Sequence, residues 1–177
     1  MNQYYYTVAS LPMLFYDQDL PISREEFMER CGIELADEDM DLIKKTSIQD
    51  LDTTDPTCPV LEAWRAWEKA LRNELVKLRA QAKGWDAEES LRETEDIFGV
   101  QQVAREAFAQ DSPLQGEDVL NRARWSFLDD IERGHHFDTE KLAVYSLKLQ
   151  LLERKASFDR EEGSQAFENV VESLSSA

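Results

Sequence analysis

Between Ser112 and Arg160 the chain carries two long amphipathic stretches separated only by Gly134-His135-His136-Phe137-Asp138. The first offers Ser112 as an N-cap and Pro113 at the first helical position, where the missing N–H would have had no intrahelical partner. Leu120, Ala123, Phe127 and Ile131 follow at helical spacing. The second opens on Asp138 as N-cap and repeats Leu142, Tyr145, Leu149, Leu152 and Ala156 on one face, widened by Leu147, Leu151 and Phe158. Two such rods joined by so short a connector must pack antiparallel. The expected fold is all-α: a multi-helix bundle with long antiparallel amphipathic helices.

The rest of the chain agrees. Glycine (6) and proline (5) are scarce and β-branched runs are absent, which favours helix over sheet. Tyr4 to Leu11 reads as a short buried helix, with Tyr4, Val8 and Leu11 on one face and Pro12 ending it. Met13 to Pro21 reads as an extended connector carrying Leu14, Phe15 and Tyr16. Ser23 and Glu26 have the spacing of a capping box, and the helix behind them (Phe27, Met28) should stop near Gly32. Asp37 is expected to cap the next helix, covering Met40, Leu42 and Ile43 and ending near Lys45. The acidic run from Glu34 to Asp41 reads as its solvated start.

Val60 to Ala82 is the third strong helix, of roughly 35 Å at 1.5 Å per residue. Leu61, Trp64, Leu71, Leu75, Leu78 and Ala82 form its stripe, and Trp67 beside it points to two buried faces. Asp86 is expected to start another helix through Leu91, Ile97 and Phe98, with Gly99 as a kink or break before Val103, Ala107 and Phe108. Gln165 to Leu174 reads as a terminal helix set off by Gly163. Residues 1–177 are read as one helical domain, with the polar, proline-bearing loop Asp50–Pro59 as a candidate sub-boundary. Trp64, Leu71, Leu75, Leu78, Phe127, Tyr145, Leu149 and Leu152 are expected in the core.

The net charge is −17, from 37 acidic and 20 basic residues. A field of that sign repels phosphate backbones, and no basic stripe compensates it, so nucleic acid is not an expected partner. Solubility of a helical protein by itself accounts for such acidity, and a basic protein surface is the partner it would otherwise suit. No apolar run approaches the roughly 20 residues that span a bilayer, so direct membrane insertion is not expected. Cys31 and Cys58 lack metal-like spacing, and no signal peptide precedes them. They read as reduced structural thiols of a cytoplasmic protein.

Catalytic hardware is sparse. Glu132 and His135 have the Glu-x-x-His spacing of di-iron bundles, but those sites need the motif twice, and the two histidines here are adjacent. Gly134 lies where the helix should end, and His135 or His136 would bond its last carbonyls. His136 and Asp138 suggest a general-base pair, yet nothing fixes a nucleophile, and Asp138 serves better as a cap. No catalytic residue, metal or cofactor is expected, and the chain does not read as an enzyme. Trp67, Trp85, Trp125, His135 and His136 are the candidate interface residues, since aromatic side chains concentrate binding energy.

Several segments together resemble a bacterial family of unknown function whose genes typically lie among those for V-type ATPase subunits. They are Tyr4 to Pro12, Leu35 to Ile43, Asn121 to Leu128, Gly134 to Asp138, and Tyr145 to Arg154. The resemblance implies a non-catalytic helical subunit or assembly factor of a rotary ATPase. It is remotely similar to the subunit, called C or d, that joins the central shaft to the membrane proteolipid ring. The implied partners are ATPase subunits of the shaft or ring. The implied location is the cytoplasm, peripheral at the inner face of the membrane through the complex. The alternative reading is a freestanding acidic helical adaptor or chaperone-like binder.

Overall fold

A computed structural model describes residues 2–53 and 57–175, with side chains as far as Phe158. Among the described residues the protein is all-helical. Three shorter helices come first: α1 (Tyr5–Ser10), α2 (Arg24–Glu34) and α3 (Asp37–Lys45). The long α4 (Pro59–Lys83) follows, then α5 (Val100–Phe108), α6 (Pro113–Ile131) and α7 (Thr139–Ser175).

The organising element is α7. It packs against α2, α3, α4 and α6. Every residue from Leu142 to Leu152 is buried, including Ser146, Lys148 and Gln150. A helix enclosed all round is the centre of a domain rather than one of its faces. Leu147 and Leu151 widen the leucine face as expected, and the burial of Ser146, Lys148 and Gln150 on the remaining sides goes beyond it. Its interior polar residues bind loops: Gln150 accepts from the Ile48 N–H at 3.2 Å and donates to the Thr46 carbonyl at 3.0 Å. Six of the eight expected core residues are buried, while Leu78 and Phe127 are half-buried and pack against the core.

Caps behave largely as the sequence dictates. Ser23 and Glu26 close a complete capping box, Ser112 accepts from the Gln115 N–H at 3.2 Å, and Asp138 accepts from the Lys141 N–H at 3.0 Å. Gly84 takes the left-handed conformation that ends α4.

Five expectations are corrected. The second helix does not stop at Gly32 but runs to Glu34. Asp37 is not the cap of α3: Ala36 holds that position and makes no side-chain bond. The run Glu34–Asp41 is not wholly solvated, since the Glu34 carboxylate takes the Thr7 N–H and hydroxyl (2.9 and 2.7 Å). Asp39 likewise accepts from Asn2, Tyr4 and Thr139. Asp86 to Phe98 is not a helix but a single 3-10 turn, Glu88–Ser90, and an extended strap. Like charges one turn apart (Glu89 and Glu93) weaken a helix there, and α4 supplies other partners. The Asn73 side chain exchanges two hydrogen bonds with the Arg92 backbone (2.7 and 2.9 Å), as a neighbouring strand would. Finally, Gly163 does not divide the C-terminal segment, for α7 runs unbroken to Ser175. The contacts expected of Phe167, Val170, Val171 and Leu174 lie outside the described side chains, and the expected fraying at Ser176–Ala177 lies outside the described residues. In the Asp50–Pro59 loop, Leu51 and Cys58 are both buried in the core, while 54–56 lie outside the described residues.

The helix pair α5–α6 approaches closely at Gly116, where a Cβ would stand 2.8 Å from the Ala107 carbonyl oxygen. In an open helix Gly→Ala gains about 1 kcal/mol of propensity. Here the clash with fixed backbone wins, and Gly116→Ala should destabilise the protein by about 1–2 kcal/mol in urea unfolding.

Candidate functional site

Two groups of charged side chains dominate the interior, and both tie helices together. Glu68 on α4 is fully buried and Arg124 on α6 is 5% exposed. They meet through two parallel bonds of 2.9 and 3.0 Å, the fork geometry that favours arginine over lysine. Arg72 reaches the same carboxylate at 2.9 Å. The remaining Arg124 nitrogen donates to Glu117 (2.9 Å) and Asn121 (2.8 Å), and Glu117 also receives Arg154 of α7 at 2.8 Å. Burial works against the Arg124 charge, but Glu68 and Glu117 outweigh it and hold the guanidinium pKa above its ordinary value.

The second group sits at the corner between α6 and α7. Glu132 accepts from Lys141 and from Lys148, each at 2.6 Å, and Lys148 also meets Asp129 at 2.7 Å. Burial alone would raise the Glu132 carboxyl, but its bonds and the charges of both lysines outweigh that and hold it below the usual carboxylate range. Beside it, Val8, Leu11, Leu14, Leu142 and Tyr145 line a groove of about 350 Å³ with Glu132 and Lys148 at its charged edge. The Tyr145 hydroxyl donates to the Pro12 carbonyl at 2.9 Å, fastening the N-terminal connector along this groove.

The candidate interface residues separate into different settings. Trp67 is 7% exposed and stacks on Phe127 at 4.8 Å and on Trp64 at 6.2 Å. It belongs to the core and is not available to a partner, a correction with a simple cause: α4 is covered on two sides. Trp125 is half-buried, edge-on to Tyr16 at 5.7 Å, with the Lys148 ammonium 5.5 Å from its ring. Trp85, just past Gly84, and His136 remain at the surface.

His135 is half-buried and is the histidine that meets Asp138, with Nδ1 2.8 Å from Oδ2. The pairing of His136 with Asp138, set aside in the sequence for Asp138 as a cap, does not form, and Asp138 caps α7 while its other oxygen meets His135. Gly134 in a left-handed conformation (φ 91°) turns the chain so that the first imidazole faces α7. Glu132 points instead to its lysines, so Glu132 and His135 do not act as a pair. A third side chain of metal-ligand type, the carboxylate of Glu140, lies within 4.8 Å of the His135 and Asp138 ligand atoms. Sequence reading missed Lys141, Lys148, Glu68 and Arg124 as a set. The last two stand 56 residues apart, and only Glu68 with Arg72, at i,i+4, carries a local signal.

A family model described as a protein of unknown function (DUF2764) matches residues 79–177. The chain belongs to this family. The DUF2764 match takes in α5, α6 and α7 with the Gly134–Asp138 corner, together with the last turn of α4. The resembling segments from Asn121 onward fall inside it, while Tyr4–Pro12 and Leu35–Ile43 fall outside. No curated protein and no solved structure matches the chain.

Two consequences can be measured. Glu68→Ala leaves the buried Arg124 with Glu117 as its one remaining carboxylate and should cost about 3 kcal/mol of stability in urea unfolding. Because the Glu132 carboxyl is depressed in the folded state, its contribution is present above its unfolded pKa and lost as pH falls through the folded one. The stability gap between wild type and Glu132→Gln, measured by urea midpoints, should be full near pH 6 and shrink below about pH 4.

Proposed function

We propose that this protein is a non-catalytic helical subunit or accessory factor of a V-type ATPase, docking on the central shaft or the proteolipid ring. The observation that carries the reading is the use of interior charge. Glu68, Arg124, Glu132 and Lys148 are each engaged by neighbouring side chains as struts between elements. That pattern suits a part whose work is to hold a shape against a partner. The family resemblance supplies the setting, and a net charge of −17 supplies the complementarity. An acidic surface is steered to basic patches, which speeds encounter and sets orientation more than affinity.

No helix among the described residues is long and apolar enough to cross a membrane. Membrane proximity would therefore come through the complex. The test is co-purification of the tagged native protein at low salt, with mass spectrometry of the eluate. Rotary ATPase subunits should be recovered and should decline as salt rises. Their reproducible absence, with ATPase assembly intact in a deletion strain, would instead indicate a freestanding adaptor.

A further inference from the structure

At the start of α7, three metal-ligand types converge from one short stretch: the imidazole of His135 and the carboxylates of Asp138 and Glu140. Glu140 is the unexplained member. It is 5% exposed, and no hydrogen bond or ion pair engages it among the described residues. The side chain is nearly enclosed while its carboxylate oxygens, still reached by water, have no protein partner among the described residues and are open to a ligand. The N-terminus of α7 favours anions, but it must already accommodate Asp138 two residues away. Two carboxylates and a ring nitrogen whose ligand atoms all lie within 4.8 Å of one another leave a place that a cation would fill.

We propose that His135, Asp138 and Glu140 bind a single divalent transition-metal ion, with zinc the ion their donor set suits best. A ring nitrogen with two carboxylate oxygens selects borderline metals over magnesium or calcium, which take oxygen alone. Asp138 is oriented for the task. Its Oδ1 accepts the Lys141 N–H at 3.0 Å as the helix cap, which turns Oδ2 toward His135. Ligands bound about 2.1 Å from one ion lie roughly 3–3.4 Å apart, so the 2.8 Å between His135 Nδ1 and Asp138 Oδ2 has only to open slightly. Three protein ligands leave at least one position for water or for a group from a partner. Glu140 also lines a cavity of about 330 Å³ together with Glu38, Asp39 and Asp41, whose carboxylates raise the local cation concentration.

The experiment uses the full chain, stripped with chelator and dialysed, then titrated with Co²⁺ and followed by visible absorption, with Zn²⁺ as competitor. One equivalent of Co²⁺ should bind saturably and be displaced by Zn²⁺ but not by millimolar Mg²⁺. Glu140→Gln and His135→Gln should each weaken binding at least tenfold, whereas His136→Gln should leave it unchanged. Circular dichroism establishes that each variant is folded. Should His135→Gln fail that check, the isosteric Glu140→Gln decides alone. The proposal is overturned if wild type shows no saturable band, or if Glu140→Gln binds as wild type does, as diffuse capture by an acidic surface would give.

Discussion

The contact on which the architecture turns is the pair of parallel hydrogen bonds between Glu68 and Arg124. Buried charges of this kind gain little net stability over a well-packed apolar pair, because both must leave water. Their influence lies in what they forbid. Sliding α6 along α4 by one residue would separate the fork from its carboxylate and leave both in a dry interior. Arg72, Glu117 and Arg154 extend the chain of charge to the rim of the core and into α7, so three long helices share one register. The aromatic stack of Trp64, Trp67 and Phe127 spans the same α4–α6 seam.

Helix identity was legible because its signals are local. Ser23 with Glu26, Ser112 with Pro113, Asp138, and Gly84 each act within a turn or two, and each caps or ends a helix as its chemistry requires. What failed was long-range competition. Nothing near Arg92 reveals that Asn73, on another element, will occupy its N–H and carbonyl and hold the strap extended. Gly163 illustrates the converse: one glycine weakens a helix by about 1 kcal/mol, which does not suffice to break it.

The site was legible only in part. The residue types at the α6–α7 corner stood out, and the two pairings they suggest, Glu132 with His135 and His136 with Asp138, were rightly set aside, but the pair that does form, His135 with Asp138, was not seen. The left-handed turn at Gly134 decides among them by rotating which imidazole faces the next helix. Trp67 was misread for a related reason. Its position beside the leucine stripe was correctly seen, but whether a flank meets solvent or Phe127 depends on where α6 lies.

The enclosure of Leu142 to Leu152 also bears on how this lineage can diverge. A segment touched from every side has no position where drift is neutral in isolation. An exchange at Leu147 or Gln150 is tolerable only when the facing residue on another element alters with it. Variation among relatives should therefore be correlated along this stretch, and the couplings should map the packing without any structure in hand.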